Sequence, residues 1–196
     1  MKGAGIVIGF LVIIALVIGL GYNSLVGSNN DVIGSWARVE TAYQRRVDLV
    51  SQSLPTVVAG AAQELAIFTT LRDQAAALKG ALEANADQDA IAGLAQGFES
   101  AYMQFTAYAA DNPEIVSAQL FADFMVQIEG TENRIRVARD DFNDSVLRYR
   151  NRTQMLPGSI FAGIFGYSPF RHEFFEATTE GAENAPQIVF PTPAAP

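Results

Sequence analysis

The 196-residue chain is long enough for one modest domain with an appendage, and its formal net charge of −8 makes it a poor candidate for binding nucleic acid. It contains no cysteine, which excludes disulfides, thiolate metal sites and cysteine nucleophiles. With His172 as the single histidine, a histidine-based catalytic triad or a multi-histidine metal site would be hard to form. We therefore expect no catalytic residue, no metal site and no cofactor.

The first predicted element is a transmembrane anchor over residues 1–22. No charged residue occurs between Gly3 and Asn30, and Gly3 to Tyr22 is long enough to span a hydrocarbon core of about 30 Å. A cleaved signal peptide is the alternative, but the apolar run exceeds the usual apolar region of about 7–15 residues. The side chains expected to meet lipid or the interface are Ile6, Phe10, Leu11, Ile14, Leu20 and Tyr22.

The second predicted element is one long helix that is bent at a proline. Apolar residues recur in steps of three and four from Val32 to Leu71, which is the spacing of one helical stripe. Pro55 lies inside this pattern and removes a backbone donor, so it predicts a kink. Because the stripe continues beyond the proline, we expect the helix to extend to about Leu82.

Three further helices and a tail follow. A polar loop from Asn85 to Asp89 precedes a helix from Ile91 to Ala110. A longer helix from about Ser117 to Met155 has a stripe close to a heptad repeat, as in coiled coils and antiparallel bundles. Pro157-Gly158 ends it, and the apolar segment from Ser159 to Tyr167 is expected to pack back on the bundle as a short helix.

These elements predict an all-α fold. An N-terminal transmembrane helix precedes an antiparallel bundle of three to four long helices, which occupies residues 23–175. Residues 176–196 are rich in Pro and Ala and are predicted to be a disordered tail. Because no basic residue lies between Lys79 and Arg134, we expect an acidic face that is either solvated or a surface for a basic partner or for cations.

Several local strings resemble one known family. The string Glu-Gly-Thr-Glu-Asn-Arg-Ile at 129–135 is followed by Ala138-Arg139-x-x-Phe142-Asn143. Upstream stand Tyr22-Asn23-x-Leu25-Val26, Trp36, Arg45-Arg46-x-Asp48-Leu49 and Leu54-Pro55, and Phe165-Gly166-Tyr167 closes the pattern. In order and spacing these strings resemble the LemA family of bacterial membrane proteins, over about Gly21 to Phe175. The resemblance implies an N-terminal anchor and an antiparallel helical bundle, and it implies no reaction.

The polar residues of these strings form the candidate site. They are Arg45, Arg46, Asp48, Glu129, Thr131, Glu132, Asn133 and Arg134. We interpret them as a structural network in which Arg45 or Arg46 on the first bundle helix pairs with Glu129 or Glu132 on the third, since buried polar groups require partners. A partner-binding face is the alternative. An acid–base pair or a metal site is disfavoured, because no Glu-x-x-His sequence of the di-metal bundles occurs.

Two aromatic residues outside this group are given structural roles. Trp36 is expected to be a core residue near the membrane end of the bundle. His172, flanked by Arg171 and Glu173, is expected on the surface.

The predicted function is a non-enzymatic scaffold or protein-interaction module of the cell (inner) membrane. Its expected partners are the lipid bilayer and either another protein or a second copy of itself, with no nucleic acid and no small-molecule substrate. The alternatives are an accessory subunit of a membrane protease or transporter, and a carboxylate-based hydrolase. Lys2 precedes the uncharged apolar stretch, and only Arg38 lies within about 20 residues after Leu20, which favours an extracytoplasmic bundle.

Overall fold

Helices dominate the computed structural model, which describes residues 2–58 and 66–175. Five α-helices occupy these ranges: α1 Lys2–Val57, α2 Ala66–Glu83, α3 Gln88–Asp111, α4 Ala118–Gln154 and α5 Gly158–Phe165. One turn of 3₁₀-helix, Pro113–Ile115, connects α3 to α4. The described ranges contain no strand, and the all-α class is confirmed. The predicted tail, 176–196, lies outside the described residues.

The predicted anchor and the first bundle helix are one continuous helix, α1. Its apolar N-terminal part projects away from the bundle, with side chains such as Ile6 and Leu20 exposed. From Leu25 onward, one stripe of α1 is buried against the other helices. Among the described residues, α1 alone is long and apolar enough to cross a membrane.

The prediction of one bent helix to Leu82 is wrong. α1 ends at Val57, and α2 runs back along it: Phe68 and Leu54 line a common groove, and Lys79 Nζ lies 2.9 Å from an Asp48 carboxylate oxygen. Both helices turn an apolar stripe of the same period toward one core, so periodicity does not reveal the reversal of the chain. The described ranges resume at Ala66 with the chain running in the opposite direction, and residues 59–65 lie outside the described residues.

α1 and α4 lie antiparallel along their whole shared length. Four contacts place α1 residues in ascending order against α4 residues in descending order: Ser24 with Arg152, Ser35 with Ser145, Arg46 with Glu132, and the bridge between Val58 and Val116 just before α4. The two buried hydroxyls of Ser35 and Ser145 are 2.6 Å apart. Small side chains therefore let the two longest helices approach closely.

α2 and α3 complete a four-helix bundle around one core. Asp87 caps α3 by accepting a hydrogen bond of 2.8 Å from the backbone N–H of Ala90. The rings of Phe68 on α2, Phe105 on α3 and Phe124 on α4 pack together, with centroids 5.4 and 6.2 Å from that of Phe105. The predicted three- to four-helix antiparallel bundle thus has four long helices.

α5 turns away from the end of α4 and packs on α1. Phe161 is buried in a small second core with Leu25, and its ring lies against Gly21, where any side chain would overlap it. The ring of Phe165 meets that of Tyr22 edge to face at 4.9 Å. The predicted short C-terminal helix therefore docks at the junction of the apolar segment and the bundle.

Candidate functional site: polar residues between the helices

A fully buried arginine lies at the centre of the bundle. Arg46 of α1 has 0% of its side chain exposed, and Nη1 forms ion pairs with Glu99 of α3 and, at 2.8 Å, with Glu132 of α4. We call these three residues the buried arginine network. It connects three helices, because each side chain comes from a different one. Glu132 is 56% exposed, so the network reaches the solvent on the α4 side.

Aromatic rings cover the remaining faces of the Arg46 guanidinium. Its central carbon lies 5.0 Å from the ring centroid of Tyr102 and 5.6 Å from that of Phe98, distances at which cation–π attraction operates. Nε and Nη2 of Arg46 donate no hydrogen bond to the residues that the structure describes. The rings and the two carboxylates are therefore its surroundings in the core.

Burial governs the electrostatics of this network. It raises the pKa of Glu99, while the charge of Arg46 acts in the opposite direction. Burial also raises the pKa of Tyr102 to about 12, which keeps the phenol neutral at physiological pH. The phenol hydroxyl contacts the sulfur of Met125 at 3.4 Å.

The structure separates the eight predicted site residues into three groups. Arg46 and Glu132 belong to the buried arginine network. Asp48 pairs with Lys79 at 2.9 Å and accepts a hydrogen bond of 3.0 Å from Gln44, and these bonds lower its pKa. The others are peripheral: Glu129, Arg45, Asn133 and Arg134 are exposed, and the half-buried Thr131 donates to the carbonyl of Ile128 in its own helix.

Three of these peripheral residues meet at one surface groove. Arg45 of α1 lies across from Asn133 and Arg134 of α4 in a groove of about 420 Å³. Its other polar lining residues are Arg38, Thr41 and Asp141. We call it the exposed arginine groove. Arg45 and Arg134 form no ion pair within residues 2–58 and 66–175. Val137, half exposed, adds an apolar side chain to the groove.

Residues 166–175 form a strap that α4 holds against the bundle. The amide of Asn143 makes two hydrogen bonds with the backbone of Phe175, at 3.0 and 2.8 Å. Arg150 donates to the carbonyl of His172 at 3.1 Å, and Tyr149 donates to that of Ser168 at 2.8 Å. Arg139 lies 4.5 Å from the ring centroid of Phe175. Two residues of the string at 138–143, Arg139 and Asn143, therefore hold the strap in place through Phe175.

The strap also corrects the prediction that His172 is a surface residue. Its ring is half-buried, packs edge to face on Tyr149 at 5.1 Å and lies 3.0 Å from the side-chain oxygen of Asn29. Burial lowers the pKa of His172, and neighbouring Arg171 adds to the effect. The flanking charges misled the prediction, because Arg171 and Glu173 are exposed while the imidazole between them is half-buried. Trp36 is partly buried against the core, with its ring 5.3 Å from that of Phe142.

Sequence reasoning missed the third member of the buried arginine network. Glu99 lies four residues after Ala95 and three before Tyr102, both of them buried, so it stands at the edge of the apolar stripe of α3. A carboxylate at the edge of a buried stripe indicates that a cationic side chain on a neighbouring helix faces it. Which cation it meets depends on the packing of α1 against α3, which the α3 sequence does not record.

The carboxylates of the buried arginine network are both engaged by the same cation. Both carboxylates of the network are bound to one arginine, and general acid–base catalysis needs a carboxylate free to exchange a proton with substrate. Within the described ranges no three His, Asp or Glu side chains are grouped so as to hold a metal ion.

Comparison with known proteins gives one family match. The sequence model of the LemA family matches residues 35–190, which include all eight polar site residues. A search among curated proteins gives no match.

Proposed function

The chain belongs to the LemA family, and from that premise we propose that it is a membrane-anchored, non-enzymatic helical scaffold that binds a protein partner at the exposed arginine groove. The observation that carries this proposal is the placement of Arg45 and Arg134. They come from two separate motif strings on two helices, and they converge on one exposed groove without an ion-pair partner among the described residues.

The charge of the groove indicates the chemistry of the partner. Three arginines, Arg38, Arg45 and Arg134, stand against one acidic residue, Asp141. Arginine is enriched in protein interfaces because its planar fork binds carboxylates in two places and its stem packs on apolar groups. An acidic helix or loop that places an apolar side chain on Val137 fits this surface. Such a local basic site is notable on a chain of net charge −8.

The pairing of the carboxylates supports a scaffold over a hydrolase. A hydrolase of the paired-carboxylate class requires two acidic groups at an accessible cleft, with pKa values adjusted for opposite roles. Glu99 and Glu132 are instead joined through Arg46 in the bundle core. The network therefore fixes the relative positions of three helices, and the exposed motif residues bind the partner.

The long apolar α1 supports an anchor in the cell (inner) membrane. Exposure of its apolar side chains to water would be unfavourable, whereas contact with lipid is favourable. The backbone N–H and C=O groups of the segment are hydrogen-bonded within the helix, as a membrane interior requires. The distribution of Lys and Arg around the anchor favours an extracytoplasmic bundle. On this arrangement the exposed arginine groove faces partners outside the cytoplasm.

Site-specific photo-cross-linking in native membranes tests the proposal. A photoreactive phenylalanine analogue replaces Val137 in the groove, and in a matched control it replaces Val126, an exposed valine of the same helix outside the groove. We expect a cross-linked product with another polypeptide from position 137 and none from position 126. Arg45→Glu with Arg134→Glu should abolish that product, whereas Arg72→Glu on α2 should leave it intact.

The product also discriminates between the alternatives. A mass equal to two copies of the chain assigns the groove to self-association, and a membrane protease or transporter assigns it to an accessory subunit. Equal cross-linking from both valines, or a product that persists in the double arginine variant, would contradict the proposed binding site.

A further inference from the structure

α5 exposes an apolar face that the bundle does not cover. Ile160 and Ile164 are four residues apart on this helix, so they share a face, and 56% and 62% of their surfaces are exposed. The turn before the helix adds Met155 and Leu156, the latter 76% exposed. In water such a cluster is unfavourable, and it marks an interaction surface.

The position of this face identifies what covers it. Met155, Leu156 and Phe161 line a groove of about 630 Å³ together with Val17 and Leu20 of α1. Val17 and Leu20 lie inside the stretch from Gly3 to Tyr22 that is long enough to span the hydrocarbon core. If that stretch is in the bilayer, then the turn at 155–157 lies at the depth of its boundary.

Charge around the groove is consistent with a lipid surface. Arg148 and Arg152 line its bundle side, and Arg152 also donates to the side chain of Ser24. Arginines at the end of a membrane helix extend their charged groups to the phosphate region while their stems stay on apolar surface. Tyr22, packed on Phe165, stands at the same level, where interfacial aromatics are favoured.

We propose that α5 and the preceding turn, residues 155–165, form a second membrane contact that lies in the headgroup–acyl boundary beside α1. The inference rests on the proposed membrane anchor. Ile160, Ile164 and Leu156 enter the acyl region, and Arg148 and Arg152 contact lipid phosphates. α5 thereby holds the base of the bundle at the membrane surface, so that the bundle does not pivot freely on a single helix.

Depth-dependent fluorescence quenching tests this contact in the full chain. Because the chain has no cysteine, Ile164→Cys, Ile14→Cys and Val126→Cys each provide one site for an environment-sensitive dye. The labelled proteins are reconstituted in vesicles of phosphatidylcholine and phosphatidylglycerol that carry nitroxide lipids with the label either near the headgroup or deep in the acyl chain.

The three positions separate the two proposals. We expect dye at 164 to be blue-shifted and to lose most of its fluorescence with the shallow nitroxide, dye at 14 to respond most to the deep nitroxide, and dye at 126 to respond to neither. Quenching at 14 without quenching at 164 overturns the second contact and leaves the anchor intact. Quenching at 164 without quenching at 14 overturns the anchor, and with it the position of α5 beside a membrane-spanning α1. A blue shift at 164 without quenching assigns the face to another protein surface, which overturns the lipid contact.

Discussion

Arg46 shows how one residue determines the arrangement of three helices. A buried charge is tolerated only when it is paired and hydrogen-bonded, and Arg46 meets that requirement only where α3 and α4 present Glu99 and Glu132 to it. A shift of either helix by one residue would remove a partner. The network therefore selects one register among packings that the apolar stripes alone would permit.

Substitutions of the buried Arg46 and of the exposed Glu132 should lower the stability of the fold by different amounts. Arg46→Ala leaves Glu99 buried without its cation, so we expect the free energy of unfolding to fall by about 3–5 kcal/mol. Glu132→Ala removes a carboxylate that is 56% exposed, and we expect a loss below about 1 kcal/mol. Urea titration of the detergent-solubilised chain, followed by circular dichroism, measures both values.

A double variant provides the control for these costs. Arg46→Ala with Glu99→Gln keeps the same loss of packing but leaves no unpaired charge on α3, so it should recover much of the stability that Arg46→Ala loses. If the double variant is as unstable as Arg46→Ala, then lost packing rather than an unpaired charge is the cause.

His172 predicts a dependence of stability on pH. Burial lowers its pKa from 6.5 in the folded chain, so the unfolded chain binds the proton more readily. The contribution of the neutral His172 to stability is therefore fully present above pH 6.5, the pKa in the unfolded chain. It is lost as the pH drops from there through the lowered pKa of the folded chain. Unfolding midpoints at about pH 7 and about pH 5.5 should differ in the wild type, and His172→Phe should reduce that difference. An unchanged difference in the variant would assign the effect to other groups.

At the scale of elements, the antiparallel pairing of α1 and α2 is open to a direct test. Asp48 and Lys79 are in contact at 2.9 Å, whereas in one helix running to Leu82 they would be about 45 Å apart at 1.5 Å per residue. A zero-length carbodiimide reagent should join them, and mass spectrometry of the digest should find the linked peptides. Lys79→Gln should remove the link. A folded wild-type chain without this link would support the single bent helix.

The docking of α5 on α1 depends on a glycine. A methyl group at Gly21 would overlap the ring of Phe161, whereas a methyl group at Gly27 of the same helix has no atom within 4 Å. We expect Gly21→Ala to expose the backbone amides of α5 to faster hydrogen exchange. Gly27→Ala should leave that exchange unchanged and favour the helix by about 0.5–1 kcal/mol. Equal exchange in both variants would contradict the proposed role of Gly21.

For the whole molecule, the proposed membrane anchor makes the orientation of the bundle the property that decides which partners could reach the exposed arginine groove. Val126→Cys places a single thiol on an exposed part of α4. We expect a membrane-impermeant maleimide to label it in intact cells, after permeabilisation of any outer membrane, because the positive residues favour an extracytoplasmic bundle. Labelling only after lysis of the inner membrane would place the bundle in the cytoplasm.

The helices and their buried faces follow from local pattern. Steps of three and four place apolar side chains on one face whatever that face meets, so the limits of α3 and α4 agree with the prediction within a few residues. The same pattern failed between Val57 and Ala66, since two antiparallel helices that share a core have the same period as one long helix. The apolar N-terminal segment could also be predicted from the sequence, because its length and its lack of charge are properties of the sequence.

Which residues meet across the bundle depended on tertiary structure. The sequence by itself determined an all-α chain with an apolar segment, and it marked Arg45, Arg46, Glu129 and Glu132 as candidates for pairing. Packing decided that Arg46 turns inward to Glu132 and Glu99, that Arg45 and Arg134 turn outward to a shared groove, and that α5 docks at Gly21. The physical reason is that adjacent residues on a helix point about 100° apart, so only the positions of neighbouring helices determine which of two arginines is buried.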